Sequence, residues 1–402
     1  MVLFLHNRYR TTGGEERVVE DLMWLVREQL GEPAELLARG SSALSSPAAG
    51  AALLRGGVRP AEVGQAVRLG AARVVHAHNL HPGFGWRALA AARAAGARVV
   101  LHLHQYRLVC AIGVSYTRGA DCTRCHGRRT LPGIRLNCRG SAGEALAYGI
   151  ALALWQPRVV AQADAVIVPS EFARERLREL GAPLPWQRVH VLPPPLPALA
   201  TALPARAATD RPSRADVVGP APSRDSARGT DSRPYALVVA RLAPEKGVDV
   251  AIDACRRIGM PLVVAGEGPE RDALRARARA ADVRMAGRVD DEELARLRAG
   301  AAIAVVPSRS AETFGLAAAE AMAAGLPVAA SRVGALPELL EEQALAPVGD
   351  AAALAEAMSR QLADRQAGER GRARVQAMCA PAVVAPRLAA IYEHSGAPAP
   401  GT

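Results

Sequence analysis

The chain has 402 residues, half of them hydrophobic but only 3% aromatic, and a formal net charge of +11. That length exceeds one ordinary core and predicts two or three domains, with ample apolar material to bury. The positive charge is spread along the chain without an Arg/Lys block interleaved with aromatics, which argues against nucleic acid as the partner.

From the N-terminus, residues 2–5 read as a first strand, and no basic segment precedes a long apolar run, so a signal peptide is not expected. Thr12, Gly13, Gly14, Glu15 and Glu16 follow and open a helix over 16–30. The glycine pair lets backbone amides approach a phosphate or sugar, which makes Gly13 and Gly14 candidate ligand contacts. Further strands are expected over 74–78, 99–104, 165–169 and 189–192, with helices over 86–95, 143–155 and 171–180. His102 and His104 share one face of the third strand's end, where period-two alternation suits metal ligation. His76, His78 and His81, near another strand end, leave two readings open: lining a cleft, or standing as packed or surface histidines.

Cys110, Cys122, Cys125 and Cys138 form a Cys-x2-Cys pair flanked by single cysteines 12 and 13 residues away. A closed structural zinc site, a paired-thiol staple and unliganded thiols all remain open for this loop, 110–138. Cys255 and Cys379 stand apart as core residues. Six cysteines without a secretion signal point to reduced thiols in a cytoplasm. No stretch reaches the roughly 18 apolar residues of a membrane span. The longest, 145–155, is interrupted by Tyr148 and Gly149 and is the place to expect a peripheral membrane contact, through Leu152 and Leu154.

Composition breaks over 193–234, where Pro, Ser, Arg and Asp dominate and apolar periodicity is absent, as in a disordered linker. Beyond it come strands over 236–241, 262–266, 283–286, 303–307 and 328–331, alternating with helices. Strand–helix alternation on both sides of the linker predicts an α/β class with two doubly wound, Rossmann-like domains. Their ligands would lie at the carboxyl ends of the strands, in a cleft where the two domains face each other.

The second half carries the sharper motifs. Lys246 is the one lysine among 50 Lys and Arg residues. It stands with Arg241 after a strand and before a helix start, where a phosphate is commonly met. Gly266, Glu267, Gly268 and Pro269 follow the next strand as a turn. After strand 303–307, a helix is expected from Thr313 or Phe314 to Gly325, with Glu312 just before it and Glu320 two turns in. The free amides of Phe314, Gly315 and Leu316 would face an anion or a hydroxyl-rich ligand.

Arg241, Lys246-Gly247, Gly266-Glu267-Gly268-Pro269 and the pair Glu312 and Glu320, in that order, resemble the nucleotide-sugar domain of family 4 retaining glycosyltransferases of the GT-B fold. The cysteine-bearing loop is similar to that of one subset of the family. The resemblance implies an N-terminal acceptor-side domain over 1–192, a linker over 193–234, a nucleotide-sugar domain over 235–380, and a C-terminal helix over 381–402 that returns to the first domain, with residues 388–392 as the returning piece. It also implies transfer of a sugar from a UDP- or GDP-linked donor to a sugar or lipid-linked acceptor, with retention, in glycan, glycolipid or polysaccharide biosynthesis. No catalytic cofactor is implied. Arg241 and Lys246 would grip the diphosphate, and Glu312 and His104 would hold the donor sugar. Glu320 would bind the ribose, with Gly266 and Gly268 near the nucleotide. A nucleotide-sugar epimerase or phosphorylase of the same fold is the alternative; a zinc-stabilised nucleic-acid-binding protein is the alternative of another class.

Overall fold

Residues 1–9, 13–41, 45–200, 233–279 and 281–393 are described by a computed structural model, which divides into two units. Thr12, residues 201–232 of the expected linker and the tail beyond 393 lie outside the described residues. Unit 1 comprises 1–117, 121–200 and the chain from 378 onward; unit 2 comprises 118–120 and, among the described residues, the chain from 233 to 377.

In unit 1, β1 (Val2–Arg8), β2 (Ala34–Gly40), β3 (Val74–Ala77) and β4 (Arg98–His102) belong to one sheet. A two-residue pair, β5 (Tyr116–Thr117) and β6 (Ala120–Asp121), follows, then β7 (Ala165–Val168) and β8 (Val189–Val191). The six-stranded sheet runs β2-β1-β3-β4-β7-β8, and every pairing in it is parallel. Central strands β3 and β7 are buried throughout, as expected of parallel strands covered on both faces.

Sequence patterning missed β2. It pairs with β1 over all seven residues, but lies at the sheet edge and carries Glu35 and Arg39, so its apolar signal is weak. The proline-rich run after 192 also requires a correction. Unit 1 continues to Ala200: Pro193, Pro194, Pro195, Leu196 and Leu199 are buried, and the Leu196 amide donates to the Cys379 carbonyl at 2.9 Å. Proline here packs as an apolar side chain without needing a ladder partner, so composition alone mimics a linker. Helix Pro381–Glu393 lies in unit 1, with Leu388, Ile391 and Tyr392 in the core.

Unit 2 contains β9 (Tyr235–Val239), β10 (Leu262–Ala265), β11 (Val283–Gly287), β12 (Ala301–Val306), β13 (Val328–Ser331) and β14 (Leu345–Ala346). Their order is β11-β10-β9-β12-β13-β14, again all parallel. Numbered from the unit's first strand this is 3-2-1-4-5-6, the dinucleotide-fold order, whose switch point falls between β9 and β12. In unit 1 the corresponding reversal falls between β1 and β3. The α/β, doubly wound class expected from sequence is the class of both units.

Candidate functional site

At the switch point of unit 2, β9 delivers Arg241 and Lys246 while its neighbour β12 delivers Ser308 and Glu312. Lys246 Nζ donates to Glu312 Oε1 at 2.7 Å, and Ser308 Oγ donates to the same oxygen at 2.6 Å. Burial pulls the Glu312 pKa upward, but the Lys246 charge and the two hydrogen bonds outweigh it and hold the carboxyl below its ordinary range. Glu312 is therefore an anion at neutral pH, with its cation already seated on it.

Glycine explains why these loops can close. Gly247 adopts φ 62°, and a Cβ there would stand 2.1 Å from the Pro307 carbonyl oxygen, so Lys246 reaches β12 only because a glycine follows it. The loop holding Glu312 is fastened to the helix Val248–Arg257 by Arg309, which makes two 2.7 Å hydrogen bonds to the two carboxylate oxygens of Asp249. Behind it, the Ala335 amide donates to the Glu312 carbonyl at 2.9 Å, and Gly334 leaves room for that backbone.

Arg241 does not join the Lys246–Glu312 pair; its guanidinium rests on Glu245. Gly266 and Gly268 pack behind the Arg241 loop: a Cβ on either would strike the carbonyl of Ala240 or Leu242, at 1.9 and 2.3 Å. The Leu242 amide donates to the Glu267 carbonyl at 2.9 Å, so the Gly-Glu-Gly-Pro turn supports the loop presenting Arg241. The helix expected from Thr313 or Phe314 begins at Leu316 instead, because Gly315 caps it with φ 95°, outside helical space. Phe314 is buried, and Glu320 is paired with Arg298 from the helix Asp291–Gly300. Sequence reasoning missed Glu245, Ser308, Gly334 and Arg298. Ser308, four residues before Glu312 at the end of a strand, was the one with a local signal.

In unit 1 the glycine loop meets a polar cluster. Gly13 caps the helix Gly14–Gln29, and its amide donates to Glu16 Oε2 at 2.8 Å while the Tyr9 amide donates to Glu16 Oε1 at 3.1 Å. Glu16 feels burial raising its pKa, yet the adjacent His6 ring and the hydrogen bonds from the Tyr9 and Gly13 amides win and lower it. Neighbouring Glu15 goes the other way: burial dominates and raises its pKa despite the Tyr9 hydroxyl, which donates to it at 2.6 Å. Gln105 Nε2 donates to Glu15 Oε2 at 3.2 Å, and Arg107 Nη2 donates to Gln105 Oε1 at 3.2 Å. Arg107 also lies over the Tyr9 ring, 5.1 Å from its centroid.

The histidines at the ends of the neighbouring strands β3 and β4 form a stacked array. His102 and His104 stack with centroids 4.1 Å apart, and His78 and His104 share a 2.7 Å hydrogen bond between Nδ1 and Nε2. His76 meets His102 at 3.2 Å and the Tyr392 hydroxyl at 2.7 Å. His76, His78 and His102 bring their ligand atoms within 4.8 Å of one another. His81 lies apart, 6.2 Å from the Tyr148 ring centroid. Burial, reinforced by neighbouring imidazoles, lowers His76 and His104 to about 3, and burial with nearby Arg107 and Arg139 lowers His81 to about 4. His104 is thus a neutral imidazole, able to exchange hydrogen bonds with a hydroxyl but carrying no charge at neutral pH. The four loop cysteines, Cys110, Cys122, Cys125 and Cys138, line one small cavity of unit 1, while Cys255 and Cys379 are buried away from it.

Residues 10–195 match the family model described as a glycosyl transferase 4-like domain, and residues 233–364 match the one described as glycosyl transferases group 1. The glycogen synthase of Mycobacterium tuberculosis is 44% identical over 111 residues, which cover 25% of this chain and 27% of that protein. The alpha-D-kanosaminyltransferase of Streptomyces kanamyceticus is 30% identical over 232 residues, 54% of this chain and 56% of that one. The alignments thus span between about a quarter and about half of these relatives' length. Among solved structures, Anabaena HepE in complex with UDP-glucose superposes with a TM-score of 0.60 at 18% identity, covering 96% of this chain and 98% of that one, a likeness of fold.

Proposed function

Because the chain belongs to the family 4 glycosyltransferases, whose GT-B fold has two Rossmann-like domains, we propose that it moves a sugar from a nucleotide-sugar donor to an acceptor hydroxyl, with retention at the anomeric carbon. The observation that carries this reading is Lys246 Nζ seated 2.7 Å from Glu312 Oε1 at the switch point of a dinucleotide-fold sheet. A diphosphate arriving there would compete with Glu312 for the ammonium. Glu312, relieved of its cation, would accept hydrogen bonds from the donor sugar's hydroxyls. Arg241, half-exposed on Glu245, would turn to the other phosphate oxygens, and Glu320 would exchange Arg298 for a ribose hydroxyl.

As the bond from the anomeric carbon to the diphosphate oxygen breaks, negative charge accumulates on the leaving group, and Lys246 and Arg241 stabilise it where it forms. An acceptor hydroxyl attacking the same face passes its proton to that oxygen, so no protein base is required. His104, kept neutral, would position a sugar hydroxyl. UDP is the first nucleotide to test, since HepE binds UDP-glucose.

Thermal-shift measurements with UDP-, GDP- and ADP-sugars, followed by nucleoside diphosphate release in the presence of acceptors, test this. A ligand that binds only the folded state raises Tm. No shift with any nucleotide sugar would sink the reading.

A peripheral membrane contact, where a lipid-linked acceptor would be met, has support in the helix Ala142–Ala161. Leu146, Ile150 and Leu154, four residues apart, are 50%, 36% and 45% exposed. Leu152, expected from sequence to share that face, is 2% exposed and belongs to the core, because it lies on the opposite side of the same helix. Arg158 lies at the end of this segment over the Trp155 ring, 4.8 Å from its centroid. Replacing Leu146, Ile150 and Leu154 by Ser should abolish sedimentation with anionic liposomes while leaving the far-UV spectrum unchanged. Equal sedimentation of variant and parent would remove this part of the proposal. Residues 367–393 form a helical stretch long and apolar enough to span a bilayer, but half of its apolar window is buried within the protein.

A further inference from the structure

Residues 110–141, between β4 and the helix Ala142–Ala161, form little regular structure. The segment contains only the two-residue strands β5 and β6 and a five-residue helix, Leu131–Arg135. It contributes Ala111 to the adjoining core cluster of Leu53, Tyr148, Ala151 and Leu152. Ordering some thirty residues costs roughly 1 to 2 kcal/mol each in backbone entropy, more than so small a core offsets, and segments of this kind are commonly fastened by a metal or a covalent staple.

The cysteines are placed to supply that fastening. Cys110 ends a turn in which its amide donates to the Tyr106 carbonyl at 2.8 Å. Cys122 leaves the β5–β6 pair, its amide donating to Ser115 at 2.8 Å. Cys125 precedes a tight turn closed between His126 and Arg129 and containing Gly127 at φ 50°, so the sequence Cys-x2-Cys-x-Gly forms a knuckle. Cys138 closes the short helix, its amide donating to Gly133 at 3.1 Å. From these separate turns all four cysteines line a single cavity, and none of the four is in a disulfide.

We propose that Cys110, Cys122, Cys125 and Cys138 bind one structural Zn2+ as a closed tetrahedral tetrathiolate. Four soft sulfur donors with no carboxylate in the set suit zinc, and with every position filled by protein the ion takes no part in sugar transfer. Binding displaces four protons from the thiols and leaves a site of net charge −2. Arg124 lines the same cavity, and Arg118, Arg128, Arg129, Arg135 and Arg139 stand in the same loop to offset that charge.

The ion would act at a distance on the polar cluster by the glycine loop. The Gly113 amide donates to the Cys110 carbonyl at 3.0 Å, and the Tyr106 amide donates to Gly113 at 2.9 Å. Arg107 Nη2 donates to the Ile112 carbonyl at 3.3 Å and to Gln105, which reaches Glu15. Fixing Cys110 therefore fixes the backbone that orients Arg107 and Gln105.

The test uses the full chain purified under reductant. Elemental analysis should find one zinc per chain, retained by Cys255→Ser and lost from Cys122→Ser and Cys138→Ser. Exchange with cobalt(II) should give the thiolate charge-transfer and intense visible bands of a tetrahedral tetrathiolate, and a chelator should lower Tm. The cobalt spectrum of the unaltered chain decides the matter if a variant fails to fold. Zinc retained by Cys122→Ser, a disulfide between any of the four under reductant, or a cobalt spectrum without thiolate bands would overturn the proposal.

Discussion

Lys246 is where chemistry and composition meet most closely. Arginine replaces lysine at every other basic position, yet a planar guanidinium cannot occupy the point geometry of an ammonium that serves one carboxylate oxygen now and a phosphate afterwards. Lys246→Arg should lower kcat/KM by about 10- to 100-fold, the equivalent of a charged hydrogen bond of roughly 1.5 to 3 kcal/mol, with Tm nearly unchanged. Wild-type turnover in that variant would show the site indifferent to cation shape. Its partner gives a complementary expectation: Glu312→Gln keeps the shape but frees the ammonium, so nucleoside diphosphate alone should bind at least as tightly while sugar transfer falls, as titration calorimetry beside an activity assay would reveal. Lys246 and Glu312 were legible in sequence because each sits in a short motif at a strand end. Arg298 was not, since its role depends on a partner brought close only by folding, Glu320 across 22 residues, whereas Ser308 and Glu245 each stand four residues from the side chain they meet.

Elements, rather than side chains, decide what the glycines are for. Gly247 and Gly259 flank the same helix with nearly equal φ, 62° and 65°, but a Cβ at Gly247 meets the Pro307 carbonyl while one at Gly259 meets nothing within 4 Å. Alanine at Gly259 should cost only the strain of a left-handed residue, about 1 kcal/mol. Alanine at Gly247 should cost clearly more and should also weaken nucleotide binding, because β9 and β12 must separate. Urea denaturation of the two variants compares them, and equal losses would mean that the close approach carries no weight. The strands of unit 1 add a pH dependence. His76, His81 and His104 have pKa values lowered from about 6.5 in the unfolded chain to about 3, 4 and 3, so the unfolded chain binds more protons in between. Their contribution is complete above about pH 6.5 and is lost progressively as pH falls toward 3. His76→Gln should flatten the fall in Tm between pH 6.5 and 4, whereas an unchanged slope would assign the acid sensitivity to carboxylates. The histidine alternation was visible in sequence; that it ends in a packed array under Tyr392 was not, because the residue closing it lies 316 positions away.

Over the whole molecule, the strand–helix alternation sufficed to identify two doubly wound units, since buried parallel strands and amphipathic helices write distinct periods into the sequence. Boundaries were harder. Residues 193–200 have the composition of a linker and the burial of a core, and composition does not separate the two when proline supplies the apolar surface. The last described helix, Pro381–Glu393, belongs to unit 1 although the entire sequence of unit 2 up to 377 intervenes. Removing residues 381–393 should therefore destabilise unit 1 by uncovering His76 and the apolar residues around Tyr392, while leaving the nucleotide-induced shift of unit 2 measurable.

That return of the chain also sets an order of events on the ribosome. Every residue of unit 2 has been synthesised before the helix that completes unit 1 exists, so the later-coded unit can finish folding while the earlier one still lacks the covering for its histidine face. The nascent chain must shelter that open face until residues 381–393 emerge, and substitutions that weaken this helix should appear first as reduced yield during synthesis, before any effect on turnover is seen.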